Sequence, residues 1–305
     1  MSVQVFIDGA VGTTGLEIRD RLAGRTDLAV ITLADDRRKD VSARREALND
    51  ADIAILCLPD DAAREAMTLI EQGGTRVIDG SSAHRVAPGW TYGFPELGFD
   101  VAGAAYVSNP GCYPTGFLAL VAPLVRAGLI AHDWPLTVNA ISGYSGGGKS
   151  LIERFDADET LAFRDYGFAL DHKHVPEMQR HAGLAHPPVF APMVARAFRG
   201  MIVEVPLPLS AMPTAPSHAQ LLDVLHKAYD LQPVIAVHDD APEELLIGRD
   251  GALSDRVDLY VFANRAGDQA RLVACLDNLG KGAAGAAVQN LNLMAGLDPL
   301  AGLVL

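Results

Sequence analysis

The chain has 305 residues, 49% of them apolar and 21% charged, with a formal net charge of −13. At roughly 100–200 residues per domain, that length suits two domains and leaves ample core. An acidic chain with no basic run is poorly matched to nucleic acid or an anionic membrane surface, yet compatible with a small anionic substrate held by a few local cations. No apolar stretch nears the roughly 20 residues of a spanning helix, so no membrane segment is expected. The start, MSVQVFIDGA, has no basic region ahead of an apolar run, so no secretory leader is expected either. The three cysteines, Cys57, Cys112 and Cys275, form no local pair, and neither CxxC nor HExxH occurs. That usage argues against a disulfide scaffold or a zinc site and for a reducing compartment, the cytoplasm.

In chain order, residues 3–8 (VQVFID) read as a strand, followed by a glycine-rich turn and a helical pattern over 16–22. Strands follow at 28–33, 53–58 and 76–78, with helices at 41–49 and 61–72. Strands alternating with helices, and strands apolar on both faces, indicate an α/β domain with a parallel sheet covered on both sides. Beyond about residue 110 the character changes. Segments 137–142, 202–207, 233–237 and 257–263 read as strands of a second sheet, with helices at about 115–127 and 217–229. A last helical stretch, 279–296, is rich in Ala, Gly and Asn, small enough to pack closely on another element.

Gly9, Gly12 and Gly15 lie in GAVGTTG, between the first strand and the first helix. Glycines there allow a tight turn and close approach of the backbone to a diphosphate, which the helix amides of Thr13, Thr14 and Gly15 then receive. The spacing is GxxGxxG rather than GxGxxG, so the position carries the reading more than the pattern does. After the second strand comes Asp35-Asp36-Arg37-Arg38-Lys39. An acid there takes a ribose 2′-hydroxyl and an arginine a 2′-phosphate; both are present, and the basic trio favours NADP.

Cys112 sits in SNPGCYPTGF, where Pro110 and Gly111 force a turn and a helix is expected to start near Pro114. A cysteine at a helix N-terminus has its thiolate stabilised by the dipole and the first amides, and the thiolate is the nucleophile. An inert turn cysteine is the alternative. Cys57 and Cys275 lie inside apolar runs and read as core. Residues 172–177 are His-Lys-His-Val-Pro-Glu; in an extended segment His172 and His174 share a side, and Pro176 opens a helix with Glu177 in its first turn. A histidine oriented by a carboxylate is the acid–base group that a thiolate mechanism needs. No third ligand of suitable spacing supports a metal.

Residues 143–150, GYSGGGKS, formally match the phosphate-binding G-x-x-x-x-G-K-[ST] loop, so a nucleotide triphosphatase is a competing class. The loop falls mid-chain, and no apolar strand ending in a magnesium-binding aspartate follows. The favoured reading is a second glycine loop beside cofactor or substrate phosphate, with Lys149 as a point charge. A non-catalytic NADP-sensing module is a third class, which the nucleophile candidate argues against.

Together these segments resemble the N-acetyl-γ-glutamyl-phosphate reductases, and among them the shorter second type. The resemblance rests on GAVGTTG, DGSSAHRV (79–86), YGFPEL (92–97), SNPGCYPTG (108–116), ISGYSGGGK (141–149), HKHVPEM (172–178) and NLGKGAAGAAVQNLN (278–292), in order. Leu120 departs from the small residue of the family's cysteine signature. Aspartate-semialdehyde dehydrogenases share the fold and chemistry with a different cysteine motif. The resemblance implies a Rossmann NADP-binding domain of residues 1–113 plus 284–305, the last helix returning to it, and an α+β catalytic and dimerisation domain of 114–283. It implies Cys112 as nucleophile, His172 or His174 as acid–base with His172 favoured, and Glu177 as their orienting carboxylate. Ser142, Gly143, Gly146 and Asn290 are expected to join the glycine turn, Arg37 and Arg38 around NADP. Arg85, Lys149 and Asn109 are expected at an acyl-phosphate substrate. A homodimer or homotetramer is expected. Carrier-linked or N-succinyl acyl phosphates use the same chemistry and remain open.

Overall fold

Asp8 ends the first strand, and Val5, Phe6 and Ile7 before it are apolar and buried on both faces of the ribbon, which is how a central parallel strand reads. The computed structural model describes residues 2–305 except Gln72, Ala241 and Ala252. The chain divides into two compact units, Met1–Gly111 with Ala283–Leu303, and Cys112–Gly282 with Val304–Leu305.

The first unit begins β1 (Val3–Asp8), α1 (Thr13–Leu22), β2 (Leu28–Ile31), α2 (Val41–Asp50), β3 (Ile53–Leu56), α3 (Asp60–Leu69) and β4 (Arg76–Asp79). Two short strands follow, β5 (Thr91–Tyr92) and β6 (Tyr106–Ser108). They make one sheet of order β2-β1-β3-β4-β6-β5, parallel throughout. Alternation sorts the core: Val5, Ile7, Ile53 and Ile55 pack with Ile18 and Leu22 of α1, while Phe6, Ala54 and Leu56 pack with Ala47 and Leu48 of α2 and Ala63 and Ala66 of α3. The helix expected over 61–72 ends at Leu69; Gln72 lies outside the described residues. Strands β5 and β6 had no periodic signal, being two and three residues long.

The second unit holds α4 (Cys112–Arg126), β7 (Thr137–Gly143), α5 (Gly148–Ala157), β8 (Phe163–Asp165), α6 (Val175–Ala182), β9 (Val189–Ala195), β10 (Met201–Leu207), α7 (His218–Tyr229), β11 (Ile235–His238), β12 (Val257–Ala263) and β13 (Ala270–Leu276). Its sheet is mixed, of order β11-β12-β13-β10-β7-β9-β8. One face is buried through Val203, Val205, Leu259, Leu272 and Ala274. α4 lies close on that face because Gly116 has no side chain; a Cβ there would stand 2.8 Å from Val203 Cγ2. The opposite face keeps Ile141, Val189 and Met193 exposed. β9 and β13 were not foreseen from sequence. Pro192 interrupts the apolar pattern of the first, and Arg271 opens the second in what reads as a turn.

The stretch expected as one helix over 279–296 is a π-helix, Gly280–Ala284, running into α8 (Gly285–Ala295). In the first unit α8 packs beside α1, with Ala287, Val288 and Leu291 in its core. Among the described residues no helix is long and apolar enough to cross a membrane.

Candidate active site

In the first unit the three glycines of GAVGTTG do different work. Gly9 has φ +90°, and a Cβ there would lie 2.3 Å from the carbonyl oxygen of Cys57. At Gly15 a Cβ would come 2.5 Å from Gly9 O, so the helix start can close onto the turn only without a side chain. Gly12 meets nothing nearer than 3.4 Å; its N–H donates to Gly9 O at 3.0 Å. It precedes α1 as N-cap, and no side chain caps this end. The positive helix end and the Thr13–Gly15 segment are therefore available to an anion.

Beside this turn is a cavity of about 330 Å³ walled by Ala10, Val11, Ile31 and Leu58, with Arg38 and Lys39 also lining it. Arg37 is not part of the lining and stands 3.8 Å from Glu46 instead. Beneath, Asp8 accepts from Arg44 Nη2 at 2.9 Å, a buried pair that fixes the end of β1. Apolar walls, an open helix end and cations at the lining suit a dinucleotide's adenosine end.

The sequence-derived polar residues of this unit are mostly engaged. Asn109 Nδ2 donates to Ala283 O at 2.9 Å and its Oδ1 accepts from Asn290 Nδ2 at 3.0 Å. Asn290 is fully buried, and its Oδ1 has no hydrogen-bond partner. A buried orphan acceptor is rare and marks a place where a donor fits, such as a carboxamide. Arg85 is buried and donates to Asn109 O at 3.0 Å and Gly80 O at 3.1 Å, bracing the loop that leads to the cysteine. Asp79 accepts from Ser81 Oγ at 2.7 Å and pairs with His84 Nδ1 at 2.6 Å, organising DGSSAH.

In the second unit Cys112 is the first residue of α4. The helix starts two residues before Pro114, so the proline occupies its first turn and needs no N–H partner. Tyr113 reaches into an aromatic cluster, its ring centroid 6.3 Å from His172, 5.7 Å from His174 and 5.1 Å from Phe190. Its hydroxyl donates to Met193 O at 3.1 Å and lies 3.4 Å from the Tyr166 hydroxyl. Burial pushes the Tyr113 phenol well up, and the Tyr166 and Cys112 charges add to it. Tyr166 is raised chiefly by burial too.

The two histidines come together, rings 4.8 Å apart, in a turn rather than an extended segment. His172 Nδ1 accepts the His174 N–H at 3.2 Å, which places the proton of a neutral His172 on Nε2. His174 precedes α6, and Glu177 in the first turn is buried with Oε1 4.0 Å from His174 Nε2. The carboxylate thus attends His174. At i,i+3 on a helix start, Glu177 faces the residue at its own N-cap, one member of the expected histidine pair. Tyr113 and Tyr166 were not singled out from sequence. Tyr113 adjoins the cysteine inside a quoted motif, and only that adjacency could have flagged it.

The loop GYSGGGKS is a 3₁₀ turn, Tyr144–Gly147, leading into α5. The N–H groups of Gly143, Tyr144 and Ser145 donate to Gly200 O, Ala197 O and Phe198 O. Ser142 Oγ donates to Gly143 O, and Ser145 Oγ accepts from Asn278. Gly143 is required because a Cβ would stand 2.7 Å from Phe198 O, and at Gly146 the nearest atoms are 3.4 Å away. Lys149 is exposed, 4.0 Å from Glu153. A triphosphate loop needs open amides and an inward lysine, and neither these three N–H groups nor Lys149 supports the nucleotide triphosphatase alternative. Burial raises the Cys57 thiol to about 12, and burial raises Cys275 likewise to about 12, leaving Cys112 as the nucleophile candidate.

Residues 4–104 match the family model "Semialdehyde dehydrogenase, NAD binding domain", and residues 112–278 match "Semialdehyde dehydrogenase, dimerisation domain". Among solved structures, aspartate semialdehyde dehydrogenase II of Vibrio cholerae shares the fold with TM-score 0.71 at 18% identity, covering 97% of this chain and 99% of that one. N-acetyl-gamma-glutamyl-phosphate reductase of Trichormus variabilis is 47% identical, covering 98% of this chain and 99% of the relative. The protein of the same name from Brucella ovis is 49% identical over 97% of this chain and 100% of the relative. An NAD-binding unit with a cavity at its glycine turn, a helix-start cysteine whose neighbour Tyr113 packs on the His172–His174 pair, and near-half identity along the whole length agree: the chain belongs to the N-acetyl-gamma-glutamyl-phosphate reductase family.

Proposed function

We propose that the chain catalyses the reversible, NADPH-dependent reduction of N-acetyl-L-glutamyl 5-phosphate to N-acetyl-L-glutamate 5-semialdehyde and phosphate, a step of arginine biosynthesis in the cytoplasm. The observation that carries the proposal is Cys112 as first residue of α4, beside Tyr113 in ring contact with both His172 and His174.

The Cys112 thiolate, favoured by the helix dipole, attacks the acyl carbon. The C–S bond forms, the C–O bond to phosphate breaks, and phosphate leaves with its electron pair. The acyl group is held as a thioester on Sγ. NADPH held at the glycine turn of the first unit would supply the hydride that brings the acyl carbon to the aldehyde level. First-turn amides of α4 stabilise the oxyanion that develops beside Cys112. Hydride addition leaves a thiohemiacetal oxyanion on that carbon; as its C=O re-forms, the C–S bond breaks and the thiolate returns, with His174 giving and taking back the proton on that oxygen. Glu177 holds His174 as its cation, a role its 4.0 Å separation supports. His172 is boxed by Tyr113, Tyr166 and Phe190, and with Nδ1 taken by the His174 N–H its Nε2 is the atom offered to the substrate.

For the cofactor, Gly9, Gly12, Thr13, Thr14 and Gly15 receive the diphosphate, and Arg38 with Lys39 reads the 2′-phosphate in preference to Arg37. Asn290 Oδ1 accepts from the carboxamide. Of the second glycine loop only Gly146 remains a cofactor contact, since Ser142 and Gly143 are engaged with backbone. Arg85 and Asn109 shape the substrate's anion site through the loop they brace. Two copies pair through the exposed face of the second sheet, where Ile141 and Val189 stand open. Ile141→Glu should leave a monomer by sedimentation, and an unchanged dimer would remove that surface.

The first measurement is the reverse reaction: phosphate-dependent reduction of NADP by N-acetylglutamate 5-semialdehyde, with aspartate semialdehyde in parallel. Activity with the first alone, strict in phosphate and absent from Cys112→Ala, is expected. Activity with aspartate semialdehyde alone would move the substrate to the sister enzymes. Full activity of Cys112→Ala would end the covalent mechanism.

A further inference from the structure

We propose that Gly282 is a positioning residue for Cys112: its bare Cα is the wall against which the nucleophile's Cβ is set. The inference rests on the covalent reading above, in which Cys112 is the nucleophile. A Cβ built at Gly282 would lie 2.9 Å from Cys112 Cβ and 3.4 Å from Cys112 Cα, with Asp277 O at 3.0 Å. None of these atoms is the free end of a flexible side chain. An alanine here must move either the first residue of α4 or the backbone of Asp277.

The wall itself is stiff. The Gly280 and Gly282 N–H groups both donate to Asp277 O, at 3.1 Å each. The Leu279 N–H donates to Asp277 Oδ1 at 2.9 Å. Asp277 Oδ2 lies 3.2 Å from Arg199 Nη1, and both side chains are buried. Thus the carbonyl and carboxylate of one residue gather the whole 277–282 turn. Gly280 tolerates no side chain either, its Cβ falling 2.0 Å from Ser254 O. The turn continues as a π-helix, a wide and uncommon helical form that recurs at functional positions. The consequence is directional: Cys112 cannot retreat toward 282 and is held as the first residue of α4, where the dipole and first amides act on it.

The test is Gly282→Ala in the full-length protein, read three ways. Iodoacetamide labelling of Cys112, followed by mass of its peptide against pH, needs no substrate, and Cys57 and Cys275, with thiols raised to about 12, stay unlabelled at neutral pH. Labelling at neutral pH is expected to slow and its midpoint to move up. Steady-state kinetics should show kcat down about a hundredfold, as for a misplacement of order 1 Å, with the NADP Kd unchanged. A folded variant with parental labelling and parental kcat overturns the proposal. Stability is then compared in a Cys112→Gly background, which removes the opposing Cβ. Gly282→Ala should lower Tm much less there than in the parent. Equal losses in both backgrounds, including failure to fold in both, overturn it as well. If the parent shows no acyl-phosphate activity while the labelling shift appears, the proposed substrate fails and the positioning stands.

Discussion

The molecule carries two glycine-rich turns between a strand and a helix, GAVGTTG and GYSGGGKS, and they do opposite things with their backbone. At the first, glycines open a place: Gly9 adopts φ +90° under the Cys57 carbonyl, Gly12 leaves its surroundings clear, and no side chain caps the helix that follows. At the second, glycines close a place: Gly143 lets the chain press on Phe198 and Arg199, and three successive N–H groups are bound by backbone carbonyls. The second loop fits the phosphate-binding pattern better, yet its Gly143, Tyr144 and Ser145 N–H groups are already taken by backbone carbonyls. A glycine pattern records where a side chain cannot go. Whether a ligand occupies the space depends on which N–H groups remain after the fold has taken its own.

The comparison is broken or sharpened most strongly at Gly9. Gly9→Ala brings a Cβ to 2.3 Å from a carbonyl oxygen at a positive φ. A loss of about 3 kcal/mol is expected, or roughly 10 °C in Tm, together with loss of NADP binding by calorimetry. At Gly143 the same change meets backbone at 2.7 Å. It should cost about 2 kcal/mol by denaturant unfolding, while the NADP Kd stays as in the parent. A weakened Kd with unaltered stability would turn the second loop back into a cofactor site. At Gly12 the order reverses. Gly12→Ala has room, 3.4 Å to its nearest neighbour, so Tm holds while the Kd rises about tenfold through crowding of the diphosphate. An unchanged Kd there would remove the dinucleotide assignment from this turn.

How far the sequence speaks follows from the same distinction. Uninterrupted apolar or alternating runs made elements legible, as in Val3–Asp8, Ile53–Leu56 and Val257–Ala263. Strands of two or three residues such as Tyr106–Ser108 carry no period to read, and Pro192 disguised β9. Of the candidate site, Cys112 and the His–x–His pair stood out because their residue types are uncommon and locally clustered. Glu177 was legible as the carboxylate of the histidine pair, but which histidine stands 4.0 Å from it depends on where α6 begins. Gly282 and Cys112 are in contact at a sequence separation of 170, and no local pattern encodes it. Arg38 and Arg37 are neighbours of equal charge; only the fold turns one to the cavity and the other to Glu46.

The smallest expected effect is at Lys149, and it is the one that separates the two turns most cleanly. In a triphosphate loop this lysine meets phosphate directly, and losing a charge-assisted hydrogen bond costs about 1.5–3 kcal/mol. Here the side chain is 81% exposed and its nearest acid, Glu153, is 4.0 Å away on the next turn of α5. An exposed pair at that spacing contributes under about 0.5 kcal/mol. Lys149→Ala should therefore change Tm hardly at all and lower kcat/KM by no more than about threefold. A hundredfold loss in kcat/KM with intact stability would mean that α5 brings this cation onto the substrate, and the amides bound at Gly143–Ser145 would then have to be released for the loop to work.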